Sequence, residues 1–216
     1  SVINMCVKLK REYPKNNFIP VFWLASEDHD FKEISEVYFR DKKINYLTKL
    51  NGSVGRMKLD EFSVFLDQIF SFFPTNQLAK KIKKIIKSAY KDEFTLAKAT
   101  RNLVHQLFGD KGLIIIDPDS HNLKKVFASY MEDELINNTC QEFVNKTVKS
   151  IKEVYSEKYI PQVNPREINL FHLNVNSRQR IIRKGSKYIL SDKNVSTQEM
   201  LNELNKSPEN FSPNVL

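Results

Sequence analysis

Two short runs of uninterrupted apolar residues constrain this chain more than any other feature. They are Phe18–Ile19–Pro20–Val21–Phe22–Trp23–Leu24–Ala25 and, after Gly112, Leu113–Ile114–Ile115–Ile116. A strand with one wet face alternates apolar and polar residues. A continuous run rich in β-branched and aromatic side chains predicts a strand buried on both faces, as in a parallel sheet. Both runs stop in acid, the first in Ser26–Glu27–Asp28–His29–Asp30 and the second in Asp117–Pro118–Asp119–Ser120. In open α/β sheets, ligands bind just beyond the carboxyl ends of the strands. If the two runs are parallel strands of one sheet, their acidic turns face one crevice.

The rest of the pattern fits an α/β chain with insertions. Val2–Tyr13 reads as a helix stopped by Pro14. Val37–Phe39 and Ile44–Leu47 flank Arg40–Asp41–Lys42–Lys43 as a hairpin. Helical patterns over 59–73, 76–91 and 95–108, with Pro74 and Gly109 as stops, exceed what one βαβ crossover needs, so they predict an inserted bundle. Leu123–Tyr155 is one helical pattern with a break expected at Asn137–Asn138. Its apolar stripe runs Val126, Phe127, Tyr130, Met131 and Leu135, then Phe143, Val144, Val148, Ile151 and Tyr155. A small β region follows around 168–173, 180–183 and 188–190, and Thr197 caps a last helix to Leu204. The expected segments are 1–35 (core), 36–110 (hairpin and inserted helices), 111–155 (second core strand and long helix) and 156–216 (connecting β region and terminal helix).

With 216 residues, 41% hydrophobic and 28% charged, the chain can bury a core without disulfides or metal. Five Gly and eight Pro exclude collagen-like and low-complexity classes. No apolar run reaches the ~18–20 residues of a membrane span. Cys6 and Cys140 match no zinc spacing and read as reduced thiols of a cytoplasmic protein. The chain opens at Ser1 inside a helical pattern and ends on the apolar pair Val215–Leu216. It reads as an internal piece of a longer protein. The net charge of +8 concentrates at Lys80, Lys81, Lys83, Lys84, Lys87 and Lys91. A solvated helix face accounts for these. Nucleic acid is the competing partner, disfavoured because no aromatic residues interleave with the lysines to stack on bases.

Glu27, Asp28, His29 and Asp30 form the strongest site candidate. Crowded carboxylates repel one another and favour the charged imidazole between them, a feature of functional sites. The alternative is that Asp28 or Asp30 caps the next turn. Adjacent positions rarely all face one ion, so no metal is expected. Asp117 and Asp119 are weaker candidates, since Asp-Pro often only makes a turn. Gly52–Ser53–Val54–Gly55–Arg56 lacks the spacing of a phosphate loop and reads as a plain turn. His105 and His121 read as structural, and His172 as outward-facing on a strand.

The block Pro20–Val21–Phe22–Trp23–Leu24–Ala25–Ser26–Glu27–Asp28–His29–Asp30–Phe31, with Glu33–Ile34, resembles the family of the bacillithiol biosynthesis cysteine-adding enzyme, the cysteine ligase BshC. Gly52–Met57, Leu107–Phe108, Gly112–Asp119, Tyr159–Val163, Arg166–Phe171 and Ser212–Leu216 support the likeness in order, over essentially the whole chain. The resemblance implies an incomplete Rossmann-like parallel core, related to nucleotidyltransferases and class I aminoacyl-tRNA synthetases, with an inserted helical and small β connecting subdomain. It implies a cytoplasmic enzyme joining cysteine to glucosaminyl malate, the last step of bacillithiol biosynthesis. Family members are considerably longer and dimerise through a C-terminal coiled coil absent here. This piece is therefore expected to be inactive alone. On this reading His29, Asp28 and Asp30 are catalytic, and Glu27, Ser26, Asp117 and Asp119 bind substrate. ATP or another nucleotide is compatible with the reaction, but no phosphate motif carries it. A basic nucleic-acid-binding or helical interaction module is the alternative from another class.

Overall fold

A computed structural model describes residues 1–39, 41–47, 52–162, 164–174, 177–190 and 193–214. Arg40 of the expected hairpin turn, Val163 and the pair Val215–Leu216 lie outside the described residues. The chain divides into two compact units, Ser1–Pro118 and Asp119–Leu216.

The first unit opens with α1 (Val2–Glu12) and β1 (Val21–Trp23), followed by α2 (Phe31–Ile34) and the hairpin β2 (Glu36–Phe39) and β3 (Lys42–Asn45). Three helices follow, α3 (Phe62–Phe70), α4 (Gln77–Ala89) and α5 (Leu96–Phe108), before β4 (Ile114–Ile116). The two apolar runs do pair, in parallel, with Val21 opposite Ile114, Phe22 opposite Ile115 and Trp23 opposite Ile116. Burial on both faces is not observed. Trp23 is 64% exposed and Ile114 is 47% exposed. Among the described residues β1 and β4 form a two-stranded sheet, and two strands alone cannot cover each other's faces.

The core of this unit lies instead under the inserted helices. Ile44, Tyr46, Leu59, Phe62, Phe65, Leu66, Phe70 and Ala99 form one buried cluster. Tyr46 and Phe62 meet edge to face at 4.9 Å, and Phe62 stacks on Tyr90 at 5.2 Å. The helices start where capping chemistry dictates. The Asn76 side chain accepts from Ala79 N–H at 2.9 Å, and Thr95 accepts from Lys98 N–H at 3.3 Å. The 59–73 pattern is shorter as a helix. Leu59 stays outside α3, its N–H donating to Phe94 O at 3.0 Å, and left-handed Glu61 (φ 57°) turns the chain into the helix.

The second unit holds α6 (His121–Asn137), α7 (Thr139–Val154), the strands β5 (Leu170–Asn174), β6 (Ser177–Arg180), β7 (Ile182–Lys184), β8 (Lys187–Leu190) and β9 (Lys193–Ser196), then α8 (Thr197–Lys206) and β10 (Phe211–Pro213). The long pattern breaks as expected, at left-handed Asn138 (φ 55°). β10, β5 and β6 form one antiparallel sheet and β7, β8 and β9 another. Met131 and Leu135 pack with Leu170, Tyr188, Met200, Leu204 and Phe211 in the core. The predicted stripe is corrected here. Val126, Tyr130, Phe143 and Tyr155 are exposed, while Lys124 and Glu134, absent from it, are buried. Each buried charge is compensated: the Lys124 ammonium donates to Asp119, and Glu134 accepts three N–H bonds. Ser196, not Thr197, caps α8. Its hydroxyl accepts from Glu199 N–H and the Glu199 carboxylate accepts from Ser196 N–H, a capping box. His172 is buried rather than outward, its ring edge-on to Phe211 at 5.5 Å.

Candidate active site

The acidic loop of residues 26–30 begins where β1 hands the chain to its C-terminal edge. Leu24 N–H still donates to Ile116 O at 2.9 Å, one step beyond the paired residues. Ser26 comes next. It is 2% exposed, and its hydroxyl donates to the Asp117 carboxylate at 2.5 Å. The parallel register therefore brings Ser26 and Asp117 of the two acidic turns together through a side-chain bond. Glu27 is half-buried, while Asp28, His29 and Asp30 are exposed.

Asp28 shapes the loop locally. Its Oδ1 accepts from His29 N–H at 2.6 Å and from Asp30 N–H at 3.3 Å, the self-bonding geometry that makes Asp a turn former. His29 Nδ1 stands 3.7 Å from the same oxygen. The imidazole is thus beside a carboxylate yet open to solvent. Asp30 sits at the N-terminus of α2 without bonding it through its side chain.

The turn at 52–56 does more than reverse the chain. Ser26 O accepts both the Ser53 hydroxyl and, at 2.9 Å, Gly55 N–H; Asp28 O accepts Val54 N–H at 2.6 Å. The amides of Val54 and Gly55 are committed to this loop, so they do not form a phosphate cradle. Gly55 is needed for the approach, because a Cβ there would lie 2.6 Å from Ser26 Cα. The bracing role of this turn is not legible in the sequence. The two glycines marked a turn but not what it touches.

Asp119 belongs to the second unit, where it pairs with the Lys124 ammonium at 2.9 Å. His121, nearby in sequence, pairs with Glu209 at 2.7 Å. His105 is exposed on α5. Among the described residues no group of three His, Cys, Asp or Glu side chains is placed to hold a metal ion. No helix of the described residues is long and apolar enough to cross a membrane.

Two lysines of α4, Lys83 and Lys87, have aromatic neighbours contributed by other elements. Lys83 lies over Phe70 and Phe73 and donates to Phe70 O at 2.8 Å; Lys87 lies over Phe70 and pairs with Asp67 at 2.8 Å. Phe72 and Phe73 in turn stack on Phe39, each at 5.7 Å. The charges of Lys83 and Lys87 are thus engaged within this unit.

The model of the family described as Bacillithiol biosynthesis BshC, N-terminal Rossmann-like domain, matches residues 1–216. A protein of Flavobacterium johnsoniae named "Putative cysteine ligase BshC" is 41% identical over all of this chain and 40% of its own length. One of the same name from Flavobacterium psychrophilum is 39% identical, again over 40% of its length. A more distant one from Bacillus cytotoxicus is 27% identical over 92% of the chain. The chain thus spans about 40% of the length of these curated relatives from Flavobacterium.

Proposed function

Since this chain belongs to the BshC family, we propose that it carries part of the active site of a ligase joining cysteine to glucosaminyl malate, the last step of bacillithiol biosynthesis. The observation that carries the reading is the Ser26–Asp117 bond, which holds two acidic turns at the carboxyl edge of the parallel strands.

Amide formation needs an electrophilic carboxyl and an amine stripped of its proton. His29 is the base that takes this proton, oriented by Asp28, and Glu27 and Asp30 attract the ammonium before it is deprotonated. Ser26 and Asp117 fix the loop, and Asp117 forms the wall of the crevice. Carboxyl activation is assigned to a nucleotide such as ATP, supplied as co-substrate. The longer protein would add the remaining core and a coiled coil through which it dimerises.

The test is His29→Ala in the full-length protein. Cysteine addition should fall about 10²-fold, the scale of a lost acid–base group. Thermal stability should barely change, because an exposed loop side chain contributes under ~0.5 kcal/mol. Unchanged turnover per folded molecule would remove His29 from the chemistry.

A further inference from the structure

The acidic loop is held by its backbone. Asp28, His29 and Asp30 are exposed, so burial does not fix where their side chains point. What is fixed lies on either side of Glu27. Val54 N–H donates to Asp28 O at 2.6 Å, and Ser26 O takes Gly55 N–H at 2.9 Å together with the Ser53 hydroxyl. Both lone pairs of the Ser26 carbonyl are thereby used. The Asp28 carboxylate then bends the chain through His29 N–H and Asp30 N–H. The placement of His29 is inherited from these two carbonyls.

The donors are anchored in turn. Ser53, Val54 and Gly55 are buried. Just beyond them, Leu96 N–H donates to Met57 O at 2.8 Å and Leu59 N–H to Phe94 O at 3.0 Å, an antiparallel bridge between Lys58 and Thr95. Leu59 belongs to the buried cluster of the inserted helices. Those helices thus supply the fixed body against which the loop is set. Of the three bonds from turn to loop, only that of Ser53 comes from a side chain, so it can be removed without altering the backbone.

Resting on the cysteine-ligase reading above, we propose that Ser53 is a positioning residue for cysteine addition and acts through His29. Ser53 holds the main chain of the loop and none of its reacting groups. Loss of its hydroxyl does not orphan the Ser26 carbonyl, which keeps Gly55 N–H, so the fold loses little. The peptide between Ser26 and Glu27 loses one of the two hydrogen bonds on its oxygen. A displacement of about 1 Å in a positioned group is enough to slow a reaction about 10²-fold.

The test compares Ser53→Ala, Ser53→Thr, His29→Ala and the double variant in the full-length protein, each as turnover per folded molecule. Ser53→Ala should lower kcat about tenfold or more and leave KM little changed, because the residue meets no substrate. Ser53→Thr keeps the hydroxyl and should recover most of the loss. In the His29→Ala background, Ser53→Ala should add almost nothing, as expected of two residues acting as one unit. Ser53→Cys, close in shape but a weak donor, carries the same test if the alanine variant does not fold. Parent turnover in Ser53→Ala beside a loss in His29→Ala overturns the positioning role and leaves the role of His29 standing. Parent turnover in His29→Ala overturns both. A lower unfolding midpoint with unchanged turnover makes Ser53 structural only. So does a failure of Ser53→Thr to recover activity, or an equal loss from Ser53→Ala with and without His29.

Discussion

Ser26 and Asp117, 91 residues apart, are joined by a hydroxyl-to-carboxylate hydrogen bond of 2.5 Å at the ends of two parallel strands. Ser26 also anchors the 52–56 turn through its carbonyl. One buried serine thus ties three separate stretches of chain. Removing its hydroxyl should cost about 1.5–3 kcal/mol, the range for a bond to a charged partner. Ser26→Ala and Asp117→Ala combined in a double-mutant cycle, read by denaturant unfolding, should give a coupling of about 1 kcal/mol or more. Additive effects would mean that the two turns are held together by something else.

Gly55→Ala tests the brace directly. The added methyl meets Ser26 backbone, not a flexible side-chain tip, so either the turn or the acidic loop must move. Overpacking of this kind costs about 1–3 kcal/mol. The amide signals of residues 26–29 should shift along with the loss of stability. A variant as stable as the parent, with those signals unmoved, would show that the approach is less tight than described.

The corner between α6 and α7 should be acid-sensitive. Asp133 accepts from Asn137 at 2.7 Å and from Thr139 at 2.8 Å, and these two donors hold its carboxyl below the usual range. A carboxylate with a depressed folded-state pKa adds stability above its unfolded value, near ~3.9, and loses it as pH falls through the folded value. Asp133→Ala should therefore be less stable than the parent at pH 6, and the gap should narrow toward pH 2. A gap constant across that range would assign the effect to packing instead.

Local chemistry made much of this molecule readable in advance. The parallel pairing followed from two continuous apolar runs, and the break at Asn138 from the residue types at that point of the helical pattern. What escaped prediction depends on partners distant in sequence. Continuous apolar character implied that Trp23 is covered, but coverage needs layers that two strands do not supply. Helical periodicity selected Val126 and Tyr130 for the core, whereas the buried face carries Lys124 and Glu134, whose compensating partners lie up to 85 residues away. The site divides in the same way. The acidic turns stood out as composition, but the bond joining Ser26 to Asp117, and the ion pair of Asp119 with Lys124, are contacts that composition does not reveal.

Glu134 offers the sharpest test of that second lesson. Its carboxylate is fully buried and accepts three bonds: Oε1 takes the Asn169 backbone N–H and side-chain amide, each at 2.9 Å, and Oε2 takes Cys140 N–H at 2.9 Å. It thereby fastens the end of α6 to the start of α7 and to the residue preceding β5. The same carboxylate, after burial itself, pushes the Cys140 thiol above its ordinary pKa. Glu134→Ala strands three buried donors and should cost about 3 kcal/mol or more. Glu134→Gln is nearly isosteric, but its NH₂ must face an N–H donor on one side, so it should recover only part of the loss. In Glu134→Ala, Cys140 should also become reactive toward a thiol reagent under native conditions, because the corner that buries it opens and the nearby negative charge is gone. If Glu134→Ala unfolds at the same denaturant concentration as the parent and Cys140 stays protected, the carboxylate is not what holds this corner.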